Sequence, residues 1–274
     1  LYSSESLSDL GWKIDYKMII KASYITNYGN FRIKNEDSLL VQNDIIYEKN
    51  MEEPENKVVE SKKVILCVAD GMGGHLGGEL ASRSVLSFLR DNFTKIYNIR
   101  TVKKVLLKSK NILNTIASET RSFGLGTTVS GMLLKDKKGI IFNCGDSRVY
   151  RVQKMYLERL TIDHSVVQAM YNSGLIDEEE MRTHPNKNLL TSAIIGDYSQ
   201  NHPVISMKEI PIKEGDQFFI CTDGLWESMS VDELTELFFS CETQDERALK
   251  LNQLSLDKGG KDNITMILFE ILEL

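Results

Sequence analysis

Residues 127–152 read T-T-V-S-G-M-L-L-K-D-K-K-G-I-I-F-N-C-G-D-S-R-V-Y-R-V. Three apolar, β-branched runs, 127–134, 140–144 and 148–152, are separated by very short breaks. A parallel crossover needs a dozen or more residues, so these breaks predict antiparallel hairpins, one at 135–139 and one around Ser147. Working outward, similar runs recur at 18–24, 38–46, 64–69, 217–222 and 264–271. Their length and β-branched content make each a strand. Three segments have helical spacing instead: 78–92 (Leu80, Val85, Leu86, Leu89), 102–118 (Val105, Leu106, Ile112, Leu113, Ile116) and 231–239, which follows the capping residue Ser230. Strand blocks with helices grouped between them define an α+β chain with largely antiparallel sheets. The charged stretch 49–63 reads as a solvated loop.

The bulk properties narrow the partners. With 274 residues, 42% of them hydrophobic, the chain can bury one large core or two small ones. No Pro/Gly/Ser-rich linker divides it, so one domain is expected over 17–274, after a Ser- and Asp-rich tail at 1–16. A net charge of −6 argues against broad contact with a nucleic-acid backbone. No apolar run approaches the roughly 20 residues of a membrane span, and no basic-then-apolar leader is present. Cys67, Cys144, Cys221 and Cys241 form no CxxC pair, which removes the zinc and redox signatures and fits a reducing, cytoplasmic setting.

The acidic residues carry the chemistry. Run 64–69 leads into Asp70-Gly71, run 140–144 into Gly145-Asp146, and run 217–222 into Asp223-Gly224. Asp262 precedes the last strand, and Asn35-Glu36-Asp37 precedes another. One Asp-Gly pair alone reads as a turn. Repeated at strand ends, the pattern can gather carboxylates at one edge of a sheet sandwich, where only cations relieve their repulsion. An all-oxygen set without His or Cys suits Mg²⁺ or Mn²⁺ better than Zn²⁺. Two such ions roughly 3.5–4 Å apart can activate a shared water for in-line attack on phosphorus. Arg32, four residues before Glu36, has the fork geometry to grip a phosphate.

In chain order the motifs are R-I-K-N-E-D-S (from Arg32), V-A-D-G-M-G-G-H (Val68), G-L-G-T-T-V (Gly124) and N-C-G-D-S-R-V-Y (Asn143). D-H-S (Asp163), N-L-L-T-S-A-I-I-G (Asn188), C-T-D-G-L-W-E (Cys221) and G-G-K-D-N-I-T (Gly259) follow. Over about residues 17–272 the chain resembles the metal-dependent Ser/Thr protein phosphatases of type 2C in their bacterial form. The resemblance implies two stacked antiparallel β-sheets flanked by helices on both sides, a four-layer α-β-β-α sandwich with metals at one end. It implies that Asp70 bridges two Mn²⁺ or Mg²⁺ ions, that the Gly71 carbonyl ligates one, and that Asp223 and Asp262 complete the other. Glu36 and Asp37 hold waters on the metals, Asp37 mainly from one layer behind. Asp146 joins Asp223 around a third, weaker ion. Arg32 grips the substrate phosphate, and residues 165–190 form a mobile flap. The implied partners are phosphoserine and phosphothreonine proteins and a cognate Ser/Thr kinase, with the phosphatase a cytoplasmic monomer that needs neither nucleic acid nor membrane.

Animal members carry a His after the first Asp-Gly that is proposed to protonate the leaving oxygen; here Met72 stands there, as in the bacterial branch. His75, His184 and a metal-bound water are the candidates for that proton. Rival chemistries fail on particular residues. A dinucleotide loop starting at Gly71 needs Gly where Leu76 stands, and no Walker Gly-Lys-Ser/Thr occurs. Cys241 and Arg247 have cysteine-phosphatase spacing, but Glu242, Asp245 and Glu246 lie between them and would disfavour both thiolate and phosphate. No G-x-S-x-G elbow is present. The rival from another class is a catalytically silent phosphatase-like module that binds phosphoprotein partners.

Overall fold

The strand Lys63–Ala69 shows how the layers are built. Val64, Leu66 and Val68 enter one hydrophobic core, while Ile65, Cys67 and Ala69 enter another. Period-two alternation thus divides a continuous apolar run between two cores, the mark of a sheet covered on both faces. The computed structural model describes residues 17–73, 77–199 and 201–274; the tail expected at 1–16 lies outside them.

Two six-stranded sheets form the centre. The first runs, in spatial order, Leu157–Arg159, Arg148–Val152, Gln217–Cys221, Ile264–Glu273, Met18–Asn27 and Glu55–Ser61. The second runs Ser206–Pro211, Lys138–Cys144, Val129–Lys135, Lys63–Ala69, Ser38–Val41 and Asp44–Tyr47. Neighbouring strands pair antiparallel throughout. Between the sheets lie Ile20, Leu39, Leu66, Phe218 and Phe269, all essentially excluded from water. Helices Gly78–Asp91 and Ile99–Thr120 cover the second sheet, with Val85, Leu89, Val102, Leu106 and Leu113 in its outer core. Helix Gln244–Asp257 lies against Met18–Asn27 and Ile264–Glu273, and Val231–Ser240 packs beside it. The four-layer α-β-β-α sandwich is the fold of this chain. A small third sheet of Gly71–Met72, Gly126–Thr127 and Ile194–Ile195 sits at one end.

Several local expectations change. The hairpin over 135–139 forms, pairing Val129–Lys135 with Lys138–Cys144. The one expected around Ser147 does not. Arg148–Val152 leaves for the other sheet and pairs with Gln217–Cys221, turning at Gly145, where φ is +113°. Both strands are largely buried, so sequence periodicity carries no record of which sheet each joins. Residues 38–46 split into two strands at Gln42, whose φ is +60°. The supposed loop at 49–63 contains the strand Glu55–Ser61, which pairs with Met18–Tyr24. Its exposed polar side chains Glu55, Asn56 and Glu60 are a common protection of an edge strand, and they hide its pairing from a hydrophobicity reading. Helix Gln244–Asp257 was also missed, because its buried face includes the polar residues Asn252 and Ser255.

Candidate active site

Both large sheets send acidic strand ends to one cleft of about 690 Å³. Asp70 follows Lys63–Ala69 and Asp146 follows Lys138–Cys144 in the second sheet. Asp223 follows Gln217–Cys221 and Asp262 precedes Ile264–Glu273 in the first. All four line the cleft with Arg32, Glu36, Gly71 and Met72. Of the candidates for holding metal or phosphate, only Asp37 lies outside the lining. It is 1% exposed and accepts a hydrogen bond from Thr222 Oγ1 at 2.9 Å.

Short polar contacts fix the ends of these strands. The Asp70 carbonyl accepts from Thr128 N at 2.9 Å and from Thr127 Oγ1 at 2.8 Å, while Asp70 N donates to Thr128 Oγ1 at 3.0 Å. Asn263 holds the Glu36 turn: its Oδ1 accepts from Glu36 N at 2.8 Å, and its Nδ2 donates to the carbonyls of Tyr28 and Lys34 at 3.0 and 2.9 Å. Gly71 has no room for a side chain, since a Cβ there would lie 2.1 Å from the Gly78 carbonyl oxygen and 2.4 Å from that of Glu36. Its glycine is required by this close approach of three backbone segments.

The electrostatics are those of crowded like charges. Asp70 is pushed well above the usual carboxylate range by burial and then by Asp223, Asp37 and Asp146. Asp146 is pushed up by burial, Asp223 and Asp163. Asp223 rises to about 7, through burial, Asp262 and Glu227, with a hydrogen bond to Asp70 pulling the other way. Asp37 rises to about 8; burial is the main cause, Asp223 and Asp262 add to it, and hydrogen bonds from Thr265 and Thr222 oppose it. Burial also raises Glu36, although Arg32 lowers it. A buried all-oxygen set that resists ionisation fits hard divalent cations, whose charge would relieve both burial and repulsion. Among the described residues no three Asp, Glu, His or Cys side chains already close around a single point. The carboxylates line an open cleft.

Arg32 is not free in this arrangement. Its Nη2 donates to Asp262 Oδ2 at 2.8 Å, and Nη1 lies 4.0 Å from Glu36. The proposed phosphate grip and a proposed metal ligand therefore hold each other. Met72 lines the cleft. His75 lies outside the described residues. His184 does not line the cleft and instead accepts from Asn186 N at Nδ1, 3.1 Å away. Among the described residues the imidazole that lines it is His202, which escaped the sequence reading because no motif surrounds it. Lys110 was missed as well. It is a buried lysine on helix Ile99–Thr120, 2.6 Å from Asp197, and no motif surrounds it. The segment expected to be a flap consists of helices Val166–Asn172 and Glu178–Thr183. Its base is closed by Val166 N donating to the Leu189 carbonyl at 2.8 Å. Lys187 ties it to Glu227, just beyond the Asp223 turn.

A sheet sandwich with carboxylates converging from both sheets has the donor set of a metal-dependent hydrolase. Comparison with known proteins makes that class specific. Residues 55–255 match the family model described as protein phosphatase 2C. A serine/threonine phosphatase stp of Listeria monocytogenes is 31% identical over 257 residues, covering 91% of this chain and 95% of that protein. The Stp1 phosphatase of Staphylococcus aureus superposes with a TM-score of 0.75 at 30% identity, over 91% of this chain and 94% of that one. The catalytic domain of PstP, solved in complex with two manganese ions, gives a TM-score of 0.75 at 25% identity, over 93% and 100% of the two chains. The chain belongs to the protein phosphatase 2C family. It is a metal-dependent protein-serine/threonine phosphatase, and its substrates are phosphoproteins.

Proposed function

We propose that Asp70, the Gly71 carbonyl, Asp223 and Asp262 hold two divalent cations, Mn²⁺ or Mg²⁺, at the floor of the cleft. Asp146 and Asp223 hold a third, weaker one. The observation that carries this reading is the convergence of Asp70, Asp146 and Asp223, from three strand ends in two sheets, on one cleft, where burial and the charge of Asp223 hold the Asp70 and Asp146 carboxyls above their usual range. The manganese pair bound by the similar PstP domain supports it. When bound, such ions supply positive charge to the phosphoryl oxygens and acidify a water. The protein's own residues do the positioning. Asn263 orients the Glu36 turn, and Thr222 holds Asp37 behind the ligands, where it can steady ordered water. Arg32 exchanges Asp262 for the substrate phosphate, a bidentate partner that leaves Asp262 free to ligate.

We further infer that the substrates are phosphoserine and phosphothreonine proteins made by a Ser/Thr kinase, and that the enzyme acts as a cytoplasmic monomer. Four buried, unpaired cysteines support a reducing setting, and no described helix is long and apolar enough to cross a membrane. Hydrolysis of p-nitrophenyl phosphate with Mn²⁺, abolished by EDTA, tests the metal assignment. Folded protein that binds phosphopeptide but shows no turnover in saturating Mn²⁺ would instead be the silent module.

A further inference from the structure

Large apolar side chains that line the cleft, or adjoin a lining residue in sequence, are left uncovered by the fold. Phe31 and Ile33 bracket Arg32 in sequence and are 72% and 90% exposed. Leu189 and Val204, both lining the cleft, are 53% and 60% exposed. Tyr198 stands between the cleft-lining residues Asp197 and Ser199, has its ring centroid 6.2 Å from that of exposed Phe123, and is anchored by its hydroxyl to the Asn114 carbonyl at 2.8 Å. Single exposed apolar residues are ordinary; a group of them gathered around one polar cleft marks a contact surface.

The charges nearby are already committed. Glu79 is paired with Lys34 at 2.9 Å, Asp197 with Lys110 at 2.6 Å, and Glu227 with Lys187. Each of these three carboxylates has a lysine of the protein beside it, so none depends on a basic substrate residue for a partner. Resting on the phosphatase reading of this cleft, we propose that the rim is a specificity surface for the substrate chain. It selects phosphoserine and phosphothreonine sites whose neighbours within two residues on either side are aliphatic or aromatic. An extended substrate advances about 3.3 Å per residue, so neighbours within two residues stay within roughly 7 Å along the chain of the phosphorylated residue. Phe31 and Ile33 take one flank; Leu189 and Val204 take the other.

The test compares two phosphoserine peptides alike except at those four flanking positions, Leu and Val in one, Gln and Ser in the other. Wild-type enzyme with Mn²⁺ should show kcat/KM about tenfold or more higher for the apolar peptide, the scale of one or two well-placed apolar contacts. The paired variants Phe31→Ser/Ile33→Ser and Leu189→Ser/Val204→Ser should each shrink that ratio at least threefold. Because the readout is a ratio of two substrates on one enzyme, a general loss of activity or fold cancels. Equal rates for both peptides, preference for a third peptide with Lys or Glu flanks, or a ratio that neither paired variant moves overturns the rim proposal. Such results leave the phosphatase reading standing, whereas hydrolysis of neither peptide overturns both.

Discussion

Two buried clusters of charge meet at Trp226 and are built on opposite principles. On one side, Asp70, Asp146, Asp223 and Asp37 set like beside like, and each carboxyl is driven up by burial and by its neighbours. On the other side, a cavity of about 320 Å³ is lined by Arg148, Arg159 and Asp163. There Asp163 receives Arg148 Nη2 at 2.7 Å and Arg159 Nη2 at 2.6 Å, and the Arg148 guanidinium lies 3.3 Å from the centre of the Trp226 ring. Trp226 joins the clusters by donating from Nε1 to the Asp146 carbonyl at 3.1 Å. In the second cluster two guanidinium groups share one buried carboxylate, so opposite charges meet inside the protein, the arrangement of a structural brace. The first has too few cations of its own, so its electrostatics call for something from outside. Burial alone does not mark a site; burial with repulsion left uncompensated does.

The largest break in the comparison should come from Asp163→Ala. It leaves two guanidinium groups without their buried carboxylate, a loss of about 3–5 kcal/mol that urea unfolding measures. A loss under about 1 kcal/mol would mean that the brace is ornamental. Asp223→Ala should behave oppositely. Activity in Mn²⁺ falls about 100-fold or more, on the scale of removing one electrostatic stabiliser of the transition state. Without metal, its urea midpoint stays level or rises, because a repelling charge is gone. A near-normal rate in this variant would contradict the metal assignment.

A pH series sharpens the contrast. Asp37 and Asp223 have folded-state pKa values raised to about 8 and about 7, above the ordinary unfolded value of about 4. Their protonated forms are favoured by folding, so their contribution is complete below about pH 4 and is lost as pH rises through 7 to 8. In EDTA the melting temperature should therefore fall between pH 5 and pH 8, and saturating Mn²⁺ should remove most of that fall. A metal-free melting temperature that rises over the same interval would show that the carboxylates do not repel as described. The smallest effect belongs to Arg32→Ala, which should raise KM about tenfold, the worth of a charge-assisted hydrogen bond. If kcat alone falls, Arg32 acts on the transition state instead.

Much of the frame was legible because strand ends are local events. Asp70, Asp146, Asp223 and Asp262 each follow or precede an apolar run, and motif order then tied them to one family. What stayed hidden were relationships between distant segments. The departure of Arg148–Val152 to the opposite sheet turns on Gly145, and its buried side chains look alike in either sheet. Lys110 and His202 enter the cleft through tertiary placement, without a motif around either. The pairing of Arg32 with Asp262 joins positions at opposite ends of the chain, and no periodicity records such a contact.

By itself the sequence determined which oxygen donors are available, the α+β class and the hard-ion, phosphoryl chemistry they favour, because these follow from side-chain type and from patterns within a few residues. Only the tertiary structure decided which carboxylates share a cleft, which one lies buried behind it, and which charges have already found partners. The reason is that Coulomb repulsion and desolvation depend on distances through space, and the fold alone sets those distances.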